Sequence, residues 1–193
     1  MKRYFFFIAI IIAVASTSML TSCEPDTPKN ESVDIIYTLI ISKDLMDNVN
    51  PEVTYTDERG VMAKIDIIES DWQMVTMDGI EIYKWVKNIH YNFYGVSNNI
   101  SVTYKPKGEI YANIDSKLTY IFCHGLNCYA KADGRTETGD GGMSLSKIQV
   151  TGANIRDYII TLKENSDAAS CTIDSNGNIS VIGNGFSTSE VNY

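Results

Sequence analysis

The stretch Cys123-His124-Gly125-Leu126-Asn127-Cys128 gathers two thiols and an imidazole in six residues, a set of soft metal ligands. A structural zinc site takes four ligands, commonly with cysteines two to four residues apart. Here a fourth ligand is unassigned, and in a strand Cys123 and His124 point to opposite faces. The stretch therefore reads as a strand end and turn, with no metal. A nucleophilic enzyme needs an activated Ser or Cys, a base and an orienting acid. His90 and His124 are the only histidines, neither lies in such a motif, and Gly-x-Ser-x-Gly is missing. Acids are more numerous. The run DIIESDW sets Asp66, Glu69 and Asp71 before Trp72. Paired carboxylates beside an aromatic suit glycoside hydrolysis, one kept protonated and one ionised. On so acidic a chain, solvated surface acids are the simpler reading. Trp72 with Asp71 and Glu69 is the candidate ligand-facing set, because an aromatic face can stack on a sugar ring. DSNGN (174–178) starts like a calcium loop, but Ile179 stands where its glycine belongs, and a hairpin explains it better. Asp133, Glu137 and Asp140 offer oxygen ligands within a glycine-rich stretch that reads as a solvated loop. Neither a metal nor a cofactor is expected.

The elements that must carry these residues read as strand after strand. VDIIYTLIIS (33–42), EVTYT (52–56) and VMAKIDIIE (61–69) are rich in β-branched and aromatic residues. In EIYKWVKNIHYNFYG (81–95), Tyr83, Trp85, Ile89, Tyr91 and Phe93 share one alternating face. NISVTYKPK (99–107) is expected to pair with that strand across the intervening turn. DYIITLKE is read as a further strand, since no long stretch repeats with a helical period. ASCTID and NISVIG flank Ser-Asn-Gly-Asn, a strong hairpin signal. DGRTETGDGG (133–142) is a loop. The expectation is an all-β fold of roughly 9–11 strands, an immunoglobulin-like antiparallel sandwich with a β-barrel as the alternative. Cys123, Cys128 and Cys171 read best as buried thiols; a Cys123–Cys128 hairpin bridge, or one of the two paired with Cys171, remains open.

The N-terminus has its own logic. Lys2 and Arg3 precede an apolar run from Phe5 to Ala15, too short to span a bilayer and suited to a secretory signal. The segment ends in Leu20-Thr21-Ser22-Cys23, which resembles a bacterial lipobox. That resemblance implies cleavage after residue 22, lipidation of Cys23 and an outer-membrane lipoprotein. Two or more acyl chains anchor a protein stably without a spanning helix. Residues 23–32 read as a flexible polar tether and 33–193 as one β-sandwich domain. Without the leader the chain has 14 basic and 24 acidic residues, a net charge of −10. Such a charge repels phosphate backbones and excludes nucleic acid as a partner.

The lipobox, the acidic tether EPDTPKNES and the stretch from Pro51 to Gly60 (PEVTYTDERG) together resemble small β-sandwich lipoproteins of the gut Bacteroides type. The resemblance implies fold and location, with surface exposure favoured over a periplasm-facing position; it supplies no catalytic residues. The function expected is a non-enzymatic binding module for a glycan or protein. A structural or accessory subunit of a fimbria-like assembly is the alternative, and a glycoside hydrolase a more distant one.

Overall fold

A computed structural model describes residues 31–66, 71–108, 114–132, 144–164 and 167–184. Alternation of apolar and polar residues dictates the strands, and strand pairing sorts them into two sheets. The strands are β1 (Val33–Ser42), β2 (Val49–Thr56), β3 (Met62–Asp66), β4 (Gln73–Met77) and β5 (Ile80–Tyr91). Then come β6 (Val96–Pro106), β7 (Thr119–Ala132), β8 (Ser144–Thr151), β9 (Asp167–Ile173) and β10 (Ile179–Asn184). One sheet has the order β4-β5-β1-β7-β8 and the other β10-β9-β6-β2-β3, and every pairing is antiparallel. The fold is an all-β sandwich, not a closed barrel.

Between the sheets the core is aromatic as well as aliphatic. Tyr37, Tyr55 and Trp85 form an edge-to-face ladder with centroids 5.6 and 6.3 Å apart. Each such contact contributes about 0.5–1.5 kcal/mol beyond its area burial. The tyrosine hydroxyls are not left dry and unpaired. Tyr37 donates to the Thr56 carbonyl at 2.9 Å and Tyr91 to the Asp57 carbonyl at 2.8 Å. Both hydroxyls also meet the buried side-chain amide of Asn98, at 3.2 and 2.9 Å. Asn98 Oδ1 is thus a second acceptor shared by the two hydroxyls, and Asn98 Nδ2 is the buried side-chain polar atom left without a partner among the described residues.

Two acceptors lock the PEVTYTDERG stretch. The Asp57 carboxylate takes hydrogen bonds from the Arg59 and Val61 amides, at 2.9 and 3.1 Å, and from the Arg59 guanidinium at 2.6 Å. Gly60 closes the turn at φ +73°, a conformation that favours glycine. Thr56 Oγ1 accepts from the Asn99 amide at 3.0 Å, tying this turn to β6. Pro51–Gly60 thus runs through β2 into the β2–β3 turn.

Three local expectations are corrected. DYIITLKE belongs to a helix, α2 (Ile155–Glu164), which follows a short helix α1 (Lys43–Met46) in chain order. Ile155, Ile159 and Leu162 are its buried residues, spaced i, i+4, i+7. The helix escapes notice because Tyr158, Ile159 and Ile160 are consecutive and β-like. NISVTYKPK does not pair with β5: β6 crosses to the opposite sheet, between β2 and β9. The chain leaves the alternating face as it crosses over, so Phe93 is 54% exposed. CHGLNC is neither a turn nor a small hairpin but the middle of the 14-residue β7. The hairpin at Ser-Asn-Gly-Asn is present, joining β9 to β10 with Gly177 at φ +78°. The stretch 133–142 lies outside the described residues.

Candidate functional site

The short helix α1 begins where β1 ends. Ser42 caps it, its Oγ accepting from the Leu45 amide at 3.4 Å and from the Cys123 amide at 3.0 Å. Asp44 reaches the same strand, Oδ2 accepting from the Ile121 amide at 3.0 Å. These bonds fix a single helical turn against β7, and a cleft opens on each side of it. One, of about 330 Å³, is bounded by Lys43, Asp44, Ile80, Glu81 and Ile121.

The other, of about 350 Å³, is the candidate binding groove. Its aromatic wall is Trp72 and Tyr83, both partly exposed, with rings 6.3 Å apart at 74°. Its polar wall comes from the loop after α1 and the start of β2, with Met46, Asp47, Asn50 and Pro51. Lys107 completes it, Nζ donating to the Met46 carbonyl at 2.6 Å, while its amide bonds to the Asn48 carbonyl at 3.0 Å. Asp47 pairs with Lys43 at 2.9 Å, with both side chains largely in solvent. An exposed pair of this kind contributes about 0–1 kcal/mol, so its carboxylate is cheaply redirected to a ligand. An apolar aromatic face opposed by a carboxylate, an amide and an ammonium can stack a sugar ring and bond its hydroxyls.

Of the sequence-derived candidates, Trp72 thus lines a groove. Asp71 is exposed and precedes β4. Glu69, Cys23, Asp133, Glu137 and Asp140 lie outside the described residues, and Asp66 is described in its backbone alone, paired with Glu52. Asp47, Asn50, Tyr83 and Lys107 were not singled out from sequence; nothing local links residues so far apart in the chain. Among the described residues no three His, Cys, Asp or Glu side chains gather as a metal site. Asp174 spends its carboxylate on the β9–β10 turn, accepting from the Asn176 and Asn178 amides at 2.8 Å. Burial pushes the Cys123 thiol up to about 11, which leaves it a poor nucleophile at neutral pH.

The two histidines part ways. His90 is half exposed on β5, with Nδ1 2.7 Å from Asp34 and Nε2 3.0 Å from Asn92. His124 is buried in a cross-sheet cluster. Its Nδ1 lies 2.7 Å from Asp167 Oδ2, and the Tyr104 hydroxyl donates to the same oxygen at 3.0 Å. Burial, then the Asp167 charge, holds the Tyr104 hydroxyl well above its ordinary range, so it remains a donor. His124, Asp167 and Tyr104 are all buried, with no solvent-facing group among them, and the arrangement serves as a clamp between sheets. Among the described residues no helix is long and apolar enough to cross a membrane. Compared with protein-family models, curated proteins and solved structures, the chain finds no match.

Proposed function

We propose that this chain is a lipid-anchored binding module of the outer membrane, held through Cys23 and facing the cell surface, whose groove at Trp72 and Tyr83 takes a glycan. The observation that carries the reading is the partly exposed Trp72, its ring 6.3 Å from that of Tyr83, lining one groove with Asp47, Asn50 and Lys107. A sugar offers an apolar C–H face to the indole and hydroxyls to the opposing polar side chains. Tyr83 stands on β5 and Trp72 just before β4, so the aromatic wall is held against one sheet, which limits the ordering cost of binding. The acidic residues beyond the groove matter to the more distant hydrolase reading alone.

A glycan array probed with the protein, repeated with Trp72→Ala, tests the ligand class. Binding to a defined set of glycans is expected, weakened about 10-fold or more by the substitution, since stacking contacts of this size contribute on the order of 1–2 kcal/mol. Absence of binding across a diverse array would remove the glycan. Mass spectrometry of the natively expressed chain tests the anchor: an unmodified Cys23 would end that part of the reading.

The second reading, an accessory subunit joined to neighbours by β-addition, draws on the sheet edges. Met62 on β3, Met74 on β4 and Ile182 on β10 are 52%, 52% and 62% exposed on edge strands. Edge strands with exposed apolar side chains invite pairing with another chain. Light scattering across concentration separates the two readings, because a strict monomer, alone and in envelope extracts, counts against the subunit.

A further inference from the structure

Cys123, Cys128 and Cys171 occupy two different places. Cys123 lies in a small apolar cluster with Ile40 and Ile82, apart from the main core. Cys128, five residues further along β7, belongs to the main core, as does Cys171 of β9 in the opposite sheet; both are wholly buried. An odd spacing along a strand sends Cys123 and Cys128 to opposite faces, so they cannot bridge each other. β7 and β9 approach one another across the sandwich. The Cys128 sulfur lies 4.0 Å from the Asn98 carbonyl oxygen, and Asn98 stands directly opposite Cys171 in the β6–β9 register. That register brings the Cys128 and Cys171 thiols, both free and buried in the described structure, to the same place in the core.

We propose that Cys128 and Cys171 form a disulfide that joins the two sheets when the chain folds under oxidising conditions, and that Cys123 stays a thiol. The oxidant is a disulfide, either of a dithiol oxidoreductase or of a small oxidised thiol. The thiolate of one cysteine attacks it, forming a mixed disulfide and releasing one thiolate. The second cysteine then displaces the other. One S–S bond is broken and one is made, two electrons pass to the oxidant, and the two protons leave with its two thiols. Burial sets the timing. In the closed sandwich neither sulfur is reached by solvent, so oxidation belongs to folding, before the sheets meet, and the finished bridge is shielded from reductant. The inference is independent of what the groove binds.

The full chain, reduced and unfolded, is refolded with and without a mixture of oxidised and reduced glutathione. It is then denatured with an alkylating agent and no reductant, and its peptides are mapped by mass. The expected result is a cross-linked peptide pair joining Cys128 to Cys171, with Cys123 alkylated. A bridge spanning this length of chain is expected to raise Tm on the order of 10 °C over the reduced protein. That difference should vanish in Cys171→Ala. If the variant fails to fold, the peptide map of the unaltered chain still decides. Alkylation of both Cys128 and Cys171 after oxidative refolding, or a bridge through Cys123, overturns the proposal.

Discussion

Asp57 shows how one side chain can hold a turn that a motif merely marks. Hydrogen bonds from the Arg59 guanidinium, then from backbone amides, hold its carboxyl below the usual carboxylate range. A depressed folded-state value means that the stabilisation is complete above the unfolded-state pKa, about 3.9 for Asp. It is lost as pH falls through the folded-state value. Asp57→Asn should therefore lower Tm at pH 7, and the gap to the unaltered protein should narrow as the pH is taken below about 4. Thermal scans of both proteins across pH check this; a gap independent of acid would contradict it. Asp167 is a second such residue. Asp167→Ala leaves Tyr104 and His124 buried without their shared acceptor. Loss of one partner from a buried pair costs about 3–5 kcal/mol, measurable by urea unfolding. Neither role was legible in advance. Asp57 could be seen as a turn residue before Gly60, but no spacing in the chain links His124 to Asp167 or to Tyr104.

Strands were legible wherever alternation ran cleanly, as in β1, β2 and β6, and the β9–β10 hairpin followed from Asn-Gly. Helix α2 was not, because its ten residues put β-branched isoleucines side by side at 159 and 160. Propensity lost there to packing: Ile155, Ile159 and Leu162 line one helical face against the core, while Ile160 is 43% exposed. Ile159→Ala should thus cost about 2–5 kcal/mol by leaving a cavity. Ile160→Lys should change stability by less than about 0.5 kcal/mol, as surface substitutions do. Leu162→Ala should cost about as much as Ile159→Ala in chemical denaturation; a tolerated Leu162→Ala would argue for a strand, in which residues 159 and 162 face opposite ways. The groove was half legible. Trp72 could be picked out as an aromatic between strands; its companions on β5, after β6 and beyond α1 meet it only once the sheets are stacked.

At the scale of the molecule, the sandwich class was legible from strand count and turn spacing, whereas the assignment of strands to sheets was not. The connection from Tyr91 to Val96 looks like a hairpin yet carries the chain from one sheet to the other, since Tyr91 is committed to Val33 of β1 and Val96 to Ile173 of β9. Alternation records which residues face inward and carries no label for the layer. Strand β1 is central in its sheet, flanked by β5 and β7. Val33 lies beside Tyr91 on one side and Ala132 on the other. A ribosome must therefore make about a hundred further residues before the opening strand has both its neighbours. Until then its row of amides and carbonyls stays open, and such distant pairings close slowly. Chains halted before residue 119 should stay protease-sensitive and collect in aggregates, because the strand that opens the fold waits on β7, a strand made long after it.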